Sequence, residues 1–311
     1  MNKDARIFIA GGSGLVGRAI VKNLKDRGFN RLAYPTHQEL DLLDGGAVSG
    51  FYASEKPEYV IVAAARVGGI KANSTYPADF LRENLVMQDN IIWNAYLVGV
   101  KKLLFLGSNC IYPRESQQPI KEEYFMTGPF EPTNEGYAVA KTAGIKLCEK
   151  ISEQYGASFI SCVPASIYGT HDHFEPERGH VIPSLMRRMH EAKIASTPEV
   201  VVWGSGSPRR EFMHADDLAE AIFFLMERYE KKEFLNVGTG EDLSIKELAA
   251  LIKETVGYEG SIVFDTSKPD GMPRKLLDVS KIHALGWSSK IKLADGLKQT
   301  YEWYLKNGSA V

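Results

Sequence analysis

Through the first half of the chain, short apolar runs rich in β-branched residues alternate with longer segments of helical period. That alternation is the pattern of βαβ units and predicts a parallel sheet. The candidate strands are Arg6 to Ala10, Arg31 to Tyr34, Tyr59 to Ala65, Lys102 to Gly107 and Phe159 to Val163. Their apolar residues are nearly continuous, as expected of strands covered on both faces. Between the first two, Val16, Ala19, Ile20, Val21 and Leu24 share one helical face while Asn23, Lys25 and Asp26 occupy another. Long helices are predicted from Ala78 to Leu97 and from about Glu135 to Tyr155. Past Pro164 the alternation becomes irregular, with many Gly, Pro and His residues, and Val200 to Trp203 stands isolated among loops. Helices return after Asp216, Ser244 and Leu293, and Phe234 to Val237 reads as one more sheet strand. The expected division is a main domain of residues 1–167 plus about 211–238, and a smaller, discontinuous lobe of about 168–210 and 239–311.

Composition narrows the class without changing the architecture. The 311 residues are 44% hydrophobic and 24% charged with a formal net charge of -2, which excludes a disordered, collagenous or coiled-coil chain. Near-zero charge without basic blocks lacks the electrostatic footprint of nucleic-acid binding, though a small anionic ligand remains possible. No stretch approaches the roughly 20 uncharged apolar residues of a membrane span, and the opening Met1-Asn2-Lys3-Asp4 has no signal-peptide core, so no membrane partner and a cytoplasmic location are expected. The three cysteines, Cys110, Cys148 and Cys162, cannot all pair and have no metal-ligand spacing, which suits free thiols in a reducing compartment.

Directly after the first strand comes Gly11-Gly12-Ser13-Gly14-Leu15-Val16-Gly17, which opens the first helix. A dinucleotide pyrophosphate requires a tight strand-to-helix turn, a closely approachable backbone and the positive end of a helix dipole. In this context the spacing predicts a Rossmann-type doubly wound sheet binding a nicotinamide dinucleotide. The end of the second strand, Tyr34-Pro35-Thr36-His37, offers neither the carboxylate usual for NAD nor the arginine usual for NADP. His37 either faces a phosphate or is solvated, and Asp41-Leu42 either borders the adenine or forms a loop and cap. These residues alone leave NADP and NAD open, although no carboxylate here repels a phosphate dianion, and a titration of both reduced forms would separate them.

Tyr137 and Lys141 are four apart in a predicted helix and so project from one face. Tyr52 and Lys56 have the same spacing, which shows how little spacing alone decides. Position separates them. Tyr137 follows the fourth strand, whose end carries Gly107-Ser108-Asn109-Cys110, and ligands of open parallel sheets bind beyond the carboxyl ends of the strands. Ser108 and Tyr137 are expected to converge there, with the Lys141 ammonium favouring the phenolate and holding the ribose.

The Gly-rich opening, Ser108 and Tyr137-x-x-x-Lys141 resemble the extended short-chain dehydrogenase/reductases that act on nucleotide sugars. Val67-Gly68-Gly69-Ile70, Gly107 to Pro113, Glu131 to Glu135, His180-Val181-Ile182-Pro183, Val202 to Gly206 and Lys268-Pro269-Asp270-Gly271 extend the resemblance, over nearly the whole chain, to the GDP-L-fucose synthase family. The resemblance implies NADPH, a GDP-4-keto-6-deoxy-mannose substrate, epimerisation at C3 and C5 followed by reduction at C4, and a homodimer joined through a helical bundle. It also implies that Cys110 and His180 serve as base and acid toward the ring carbons; on the residues alone they read as a core thiol and a loop histidine. The thiol is expected to have its pKa lowered by neighbouring cations. Leu106, Gly107, Pro164, Ala165, Ser166, Ile167 and His180 would border the cofactor. Arg188, Trp203 and Arg210 would hold the GDP moiety by stacking and bidentate pairing, with Lys268 and Asp270 less directly supported. Exposed salt bridges are the alternative for the arginines. His171 and His173 flank Asp172, but nothing completes a metal shell, and no metal is expected. Two other functions stay open: action on a related GDP-keto-sugar, dideoxy or heptose, and a non-catalytic NADP-binding regulator.

Overall fold

The structure, a computed structural model, describes residues 1–175, 180–268 and 270–308. In chain order it runs β1 (Ile7–Ala10), α1 (Leu15–Asp26), β2 (Leu32–Ala33), α2 (Gly45–Glu55), β3 (Tyr59–Val62), α3 (Ile70–Thr75), α4 (Pro77–Leu97), β4 (Lys102–Leu106), α5 (Glu135–Tyr155) and β5 (Phe159–Pro164). It continues with β6 (Ser166–Tyr168), α6 (Val181–Ile194), β7 (Glu199–Trp203), β8 (Arg209–Arg210), β9 (Phe212–His214), α7 (Ala215–Arg228) and β10 (Leu235–Val237). The last elements are β11 (Leu243–Ser244), α8 (Ile245–Val256), β12 (Ser261–Asp265), β13 (Arg274–Lys275), α9 (Ser280–Ala284) and α10 (Leu293–Asn307).

Six strands form a parallel sheet in the order β10-β5-β4-β3-β1-β2. β1, β4 and β5 are buried at every position, which is why their sequences run apolar without alternation. The chain leaves β1 toward β2 and returns to β3 on the other side, so the order reverses between β1 and β3. At such a switch point the strand ends open a crevice for ligand. α1 turns Ala19, Ile20, Val21 and Leu24 onto the sheet, and Phe234 to Val237 supplies the sixth strand, as its pattern suggested.

Two apolar cores result. The larger surrounds the sheet and draws in Leu277, Val279, Ile282 and Trp287 from near the carboxyl end. The smaller joins Tyr168 and Phe174 to α6, β7, α8 and α10 through Leu185, Met189, Val202, Leu248, Leu297 and Tyr301. The strand at Val200 to Trp203, isolated in the sequence, pairs in parallel with β12. α6 is the element the sequence reading left among loops. Ile182, Leu185, Met186, Met189 and Ala192 do recur with helical period. The Gly-, Pro- and His-rich stretch before them ends in His180, which makes no side-chain cap bond, so the usual start signal is missing.

Candidate active site

At the end of β1 the backbone turns sharply. Gly11 has φ +84°, and a Cβ at Gly17 would lie 2.0 Å from the Gly11 carbonyl oxygen, so the turn closes only with glycine at both places. Gly14 caps α1 without any side-chain hydrogen bond, leaving the first amides of the helix facing outward as an anion site. Ser13 is exposed and its carbonyl accepts from Arg18 Nε at 2.7 Å. The residues present therefore fit a dinucleotide pyrophosphate. At the adenosine end His37 is 82% exposed and 3.8 Å from Asp41, so it is a solvated group on the rim. Asp41 also accepts from the Leu43 amide at 3.0 Å, and Leu42 packs partly buried against the core. Lys25 reaches the Tyr34 hydroxyl at 2.9 Å.

The second wall begins at the end of β4. Gly107 is buried and donates to the Cys162 carbonyl at 2.8 Å, fixing the strand end. Ser108 then caps a short 3-10 turn, its hydroxyl accepting from the Cys110 amide at 3.4 Å. Tyr137 stands in the opening turn of α5 and Lys141 one turn later. α5 lies very close to the sheet because Gly144 has no side chain; a Cβ there would be 2.4 Å from the Phe105 ring. That approach lets the buried Lys141 donate to the Leu106 carbonyl at 2.9 Å, with its ammonium 5.9 Å from the Tyr137 ring centre. Pro164 ends β5, Ala165 donates to the Val237 carbonyl, and Ser166 and Ile167 continue into β6 beside β9.

Four of the five catalytic candidates thus meet. Ser108 accepts from the Cys110 amide, and both the Ser108 hydroxyl and the Cys110 thiol are close enough to Tyr137 to act on its phenol. The fifth, His180, heads α6, half exposed, with buried Asp172 as its neighbour at 3.8 Å.

The electrostatics differ from the sequence expectation in two ways. Burial pushes the Tyr137 phenol far up, Cys110 adds to the rise, and the Ser108 hydrogen bond opposes it; the effect of Lys141 is not among these causes. Lys141 itself is lowered by burial to about 8, because the interior disfavours its charge. Burial likewise raises the Cys110 thiol, whereas the sequence reading expected it to fall; Lys275 and Lys141 pull it down but do not win. Burial thus keeps the proton on the phenol, which suits the tyrosine to a donor's role, and the cysteine needs help to become a base. The other two thiols, Cys148 and Cys162, are buried and pushed up to about 12.

The sequence reading missed Lys275. It lies in β13, paired with β8 so that its Cα is opposite Arg210, and its ammonium reaches Oδ1 of the Asn109 side chain at 3.5 Å. Among the cations acting on Cys110 it comes ahead of Lys141. No local motif marked it, since a two-residue strand more than 160 positions away has no periodicity to connect it to the β4 end. Glu131, part of one of the motifs, acts there too: its buried Oε2 lies 3.5 Å from Arg114 Nε, and its charge acts on both Arg210 and Lys275.

The remaining substrate candidates lie around the smaller core. Trp203 is 66% exposed, with Lys268 Nζ 5.6 Å from its ring centre. Arg188 is anchored on the Val201 carbonyl and Arg210 on that of Arg209, both partly buried. Asp270 accepts from the Ser205 amide and hydroxyl at 2.6 and 2.8 Å, so it shapes the loop after Trp203. Pro269, in the same quoted motif, lies outside the described residues.

Comparison with known proteins gives a consistent answer. Residues 7–238 match the NAD dependent epimerase/dehydratase family. The chain is 59% identical over 307 residues to a "Putative GDP-L-fucose synthase 2" of Arabidopsis thaliana, covering 99% of this chain and 94% of that one. A GDP-6-OMe-4-keto-L-xylo-heptose reductase from C. jejuni superposes with a TM-score of 0.95 at 41% identity, covering 99% of both chains. A GDP-L-fucose synthetase from Naegleria fowleri bound to NADP superposes with a TM-score of 0.93 at 32% identity, covering 100% of this chain and 96% of that one. On this sequence likeness, carried on a Rossmann sheet with Ser108, Tyr137 and Lys141 at the carboxyl end of β4, the chain belongs to the NAD dependent epimerase/dehydratase family and, within it, to the GDP-L-fucose synthases.

Proposed function

We propose that this protein is an NADP-dependent epimerase/reductase converting GDP-4-keto-6-deoxy-D-mannose to GDP-L-fucose. The observation that carries the reading is the meeting of Ser108, Cys110 and Tyr137 at one point beyond β4, with Lys141 beneath them. A simple reductase needs the hydroxyl, phenol and ammonium; the thiol answers the additional demand of moving carbon-bound protons.

Ser108 and the protonated Tyr137 would donate hydrogen bonds to the C4 oxygen, stabilising the negative charge it acquires when a flanking carbon is deprotonated. Cys110 would take the proton from C3 and C5 as thiolate, and His180 would return one from the opposite side. NADPH, when bound, supplies the hydride that reduces C4. Tyr137 then gives its proton to that oxygen. Lys141, lowered to about 8 and so still mostly charged at neutral pH, would hold the nicotinamide ribose and compensate the phenolate left behind. Trp203, Arg188 and Arg210 would hold the GDP moiety, Trp203 by its open indole face.

A likeness of 0.95 to a GDP-heptose reductase favours one second reading, a reductase of a related GDP-4-keto-sugar. Incubation with GDP-4-keto-6-deoxy-mannose and NADPH in heavy water separates them. Deuterium at C3 and C5 with GDP-L-fucose as product is expected; a C4 alcohol of unchanged C3 and C5 configuration would refute the epimerase half. Cys110→Ser is expected to abolish the exchange.

A homodimer is supported by the exposed apolar side chains of Trp93 and Leu97 on α4 and of Val139 and Tyr155 on α5, unusual for helix faces in water. Three buried free thiols fit a reducing compartment, in keeping with the cytoplasm, and no helix among the described residues is long and apolar enough to cross a membrane.

A further inference from the structure

We propose that Asp172 is a positioning residue for the reaction, gripping the His180 imidazole at Nδ1 so that Nε2 is presented to the sugar. The inference rests on the functional reading above, in which His180 returns a proton to a ring carbon.

Asp172 is 2% exposed. Its Oδ1 accepts from the His173 amide at 2.8 Å and lies 3.8 Å from His180 Nδ1. Its Oδ2 is also buried and has no hydrogen-bond partner among the described residues. A carboxylate withdrawn from water with one oxygen bare is costly unless a positive charge faces it. The local turn does not account for it, because the one backbone bond it accepts could be made equally by asparagine. Among the described residues the cation beside it is His180, reached from the loop after β6 across to the head of α6. His180 sits at an N-cap, where serine, threonine, aspartate or asparagine is usual, and makes no capping bond. Its side chain is half exposed and turned instead toward Asp172. The metal-like triplet of His171, Asp172 and His173 is thereby resolved. His171 faces the Trp303 ring at 4.7 Å, and Asp172 serves a histidine eight positions on.

Two consequences follow from a fixed acceptor at Nδ1. It keeps a proton on Nδ1, so the exchangeable proton of the imidazolium is the one on Nε2. It also holds that imidazolium against the amide dipoles of α6, which by themselves disfavour positive charge at a helix head. Asp172 raises the pKa of His180, burial opposes it, and Asp172 is the charged group acting on the ring. In the step itself the Nε2–H bond breaks, a C–H bond forms from the electron pair of the enolate, and the C4 carbonyl is restored. The neutral imidazole regains its proton from solvent along its exposed edge. At 3.8 Å the two groups form an ion pair, a distance longer than a formed hydrogen bond that a small movement of the ring would close.

Asp172→Asn, Asp172→Glu and His180→Gln in the full-length protein test this, with thermal melting and NADPH affinity as controls of folding. In wild type, nitrogen NMR of His180 is expected to show the neutral ring protonated on Nδ1. The pH profile of C3/C5 exchange in heavy water should lose its alkaline limb about one unit earlier in Asp172→Asn. That is about a tenfold drop at pH 8 and little change at pH 6, partly rescued by Asp172→Glu. A uniform loss at every pH, or an unmoved His180 titration in Asp172→Asn, overturns the proposal. Should Asp172→Asn fail to fold, a wild-type His180 carrying its neutral-form proton on Nε2 overturns it equally. Full exchange in His180→Gln would instead defeat the proton-donor reading itself, a different failure.

Discussion

Tyr52 and Lys56 share their four-residue spacing with Tyr137 and Lys141, yet the two pairs have opposite fates. Tyr52 lies in the last turn of α2, fully buried, with its hydroxyl donating to the Ile91 carbonyl at 3.0 Å. Lys56 falls just beyond the helix in a left-handed conformation, φ +46°, and its side chain is exposed. Tyr137 instead opens α5, and Lys141, one turn further in, is buried against the end of β4. Spacing put both members on one helix face only for Tyr137 and Lys141. The difference is which end of the helix meets which end of the sheet: a pair at a helix start, facing strand carboxyl ends, enters the ligand crevice, and a pair at a helix finish does not.

The sharpest way to break this comparison is Tyr137→Phe, which removes the proton donor to the C4 oxygen. NADPH oxidation should fall by about 10²- to 10⁴-fold with NADPH binding kept. A variant within threefold of wild type would show the two tyrosines to be equivalent and the assignment mistaken.

Lys275→Met tests whether a cation remote in sequence matters to the site. Lys275 lowers the Cys110 pKa against burial, so its loss raises that pKa and leaves less thiolate at neutral pH. Solvent exchange at pH 7 should drop by about tenfold for each unit of rise, recovering as the pH is raised. An exchange profile superimposable on wild type would remove Lys275 from the site.

Gly144→Ala should cost about 1 to 3 kcal/mol in urea melts, because the methyl meets the Phe105 ring and α5 must retreat from the sheet. kcat should suffer with it, as Tyr137 and Lys141 ride on that helix. Tyr52→Phe should cost about 1 kcal/mol through the lost hydroxyl bond and leave kcat unchanged. The smallest effect is expected for Lys56→Gly, a gain of less than about 1 kcal/mol from relieving a left-handed lysine, read as a small rise in melting temperature.

Much of this was legible before the structure. Buried parallel strands must be apolar at nearly every position, so β1, β4 and β5 declared themselves, and the Gly11 to Gly17 spacing declared the turn that α1 begins from. The head of α6 did not, because His180 replaces the usual capping residue with a group engaged elsewhere. The direction of the Cys110 shift was also misjudged. Nearby cations can be expected from motifs, but the depth of burial that outweighs them belongs to the packing of β4, α5 and β13 together.

The chain by itself determined the dinucleotide turn, the sheet and the identity of the residues at its carboxyl edge, since each depends on contacts within a few positions, on an unbroken apolar run or on a repeat of period 3.6. Only the tertiary structure decided that Lys275 would stand beside Cys110 and Asp172 beside His180. A charge felt across separate loops depends on distance and local dielectric, and neither is written in the order of the residues.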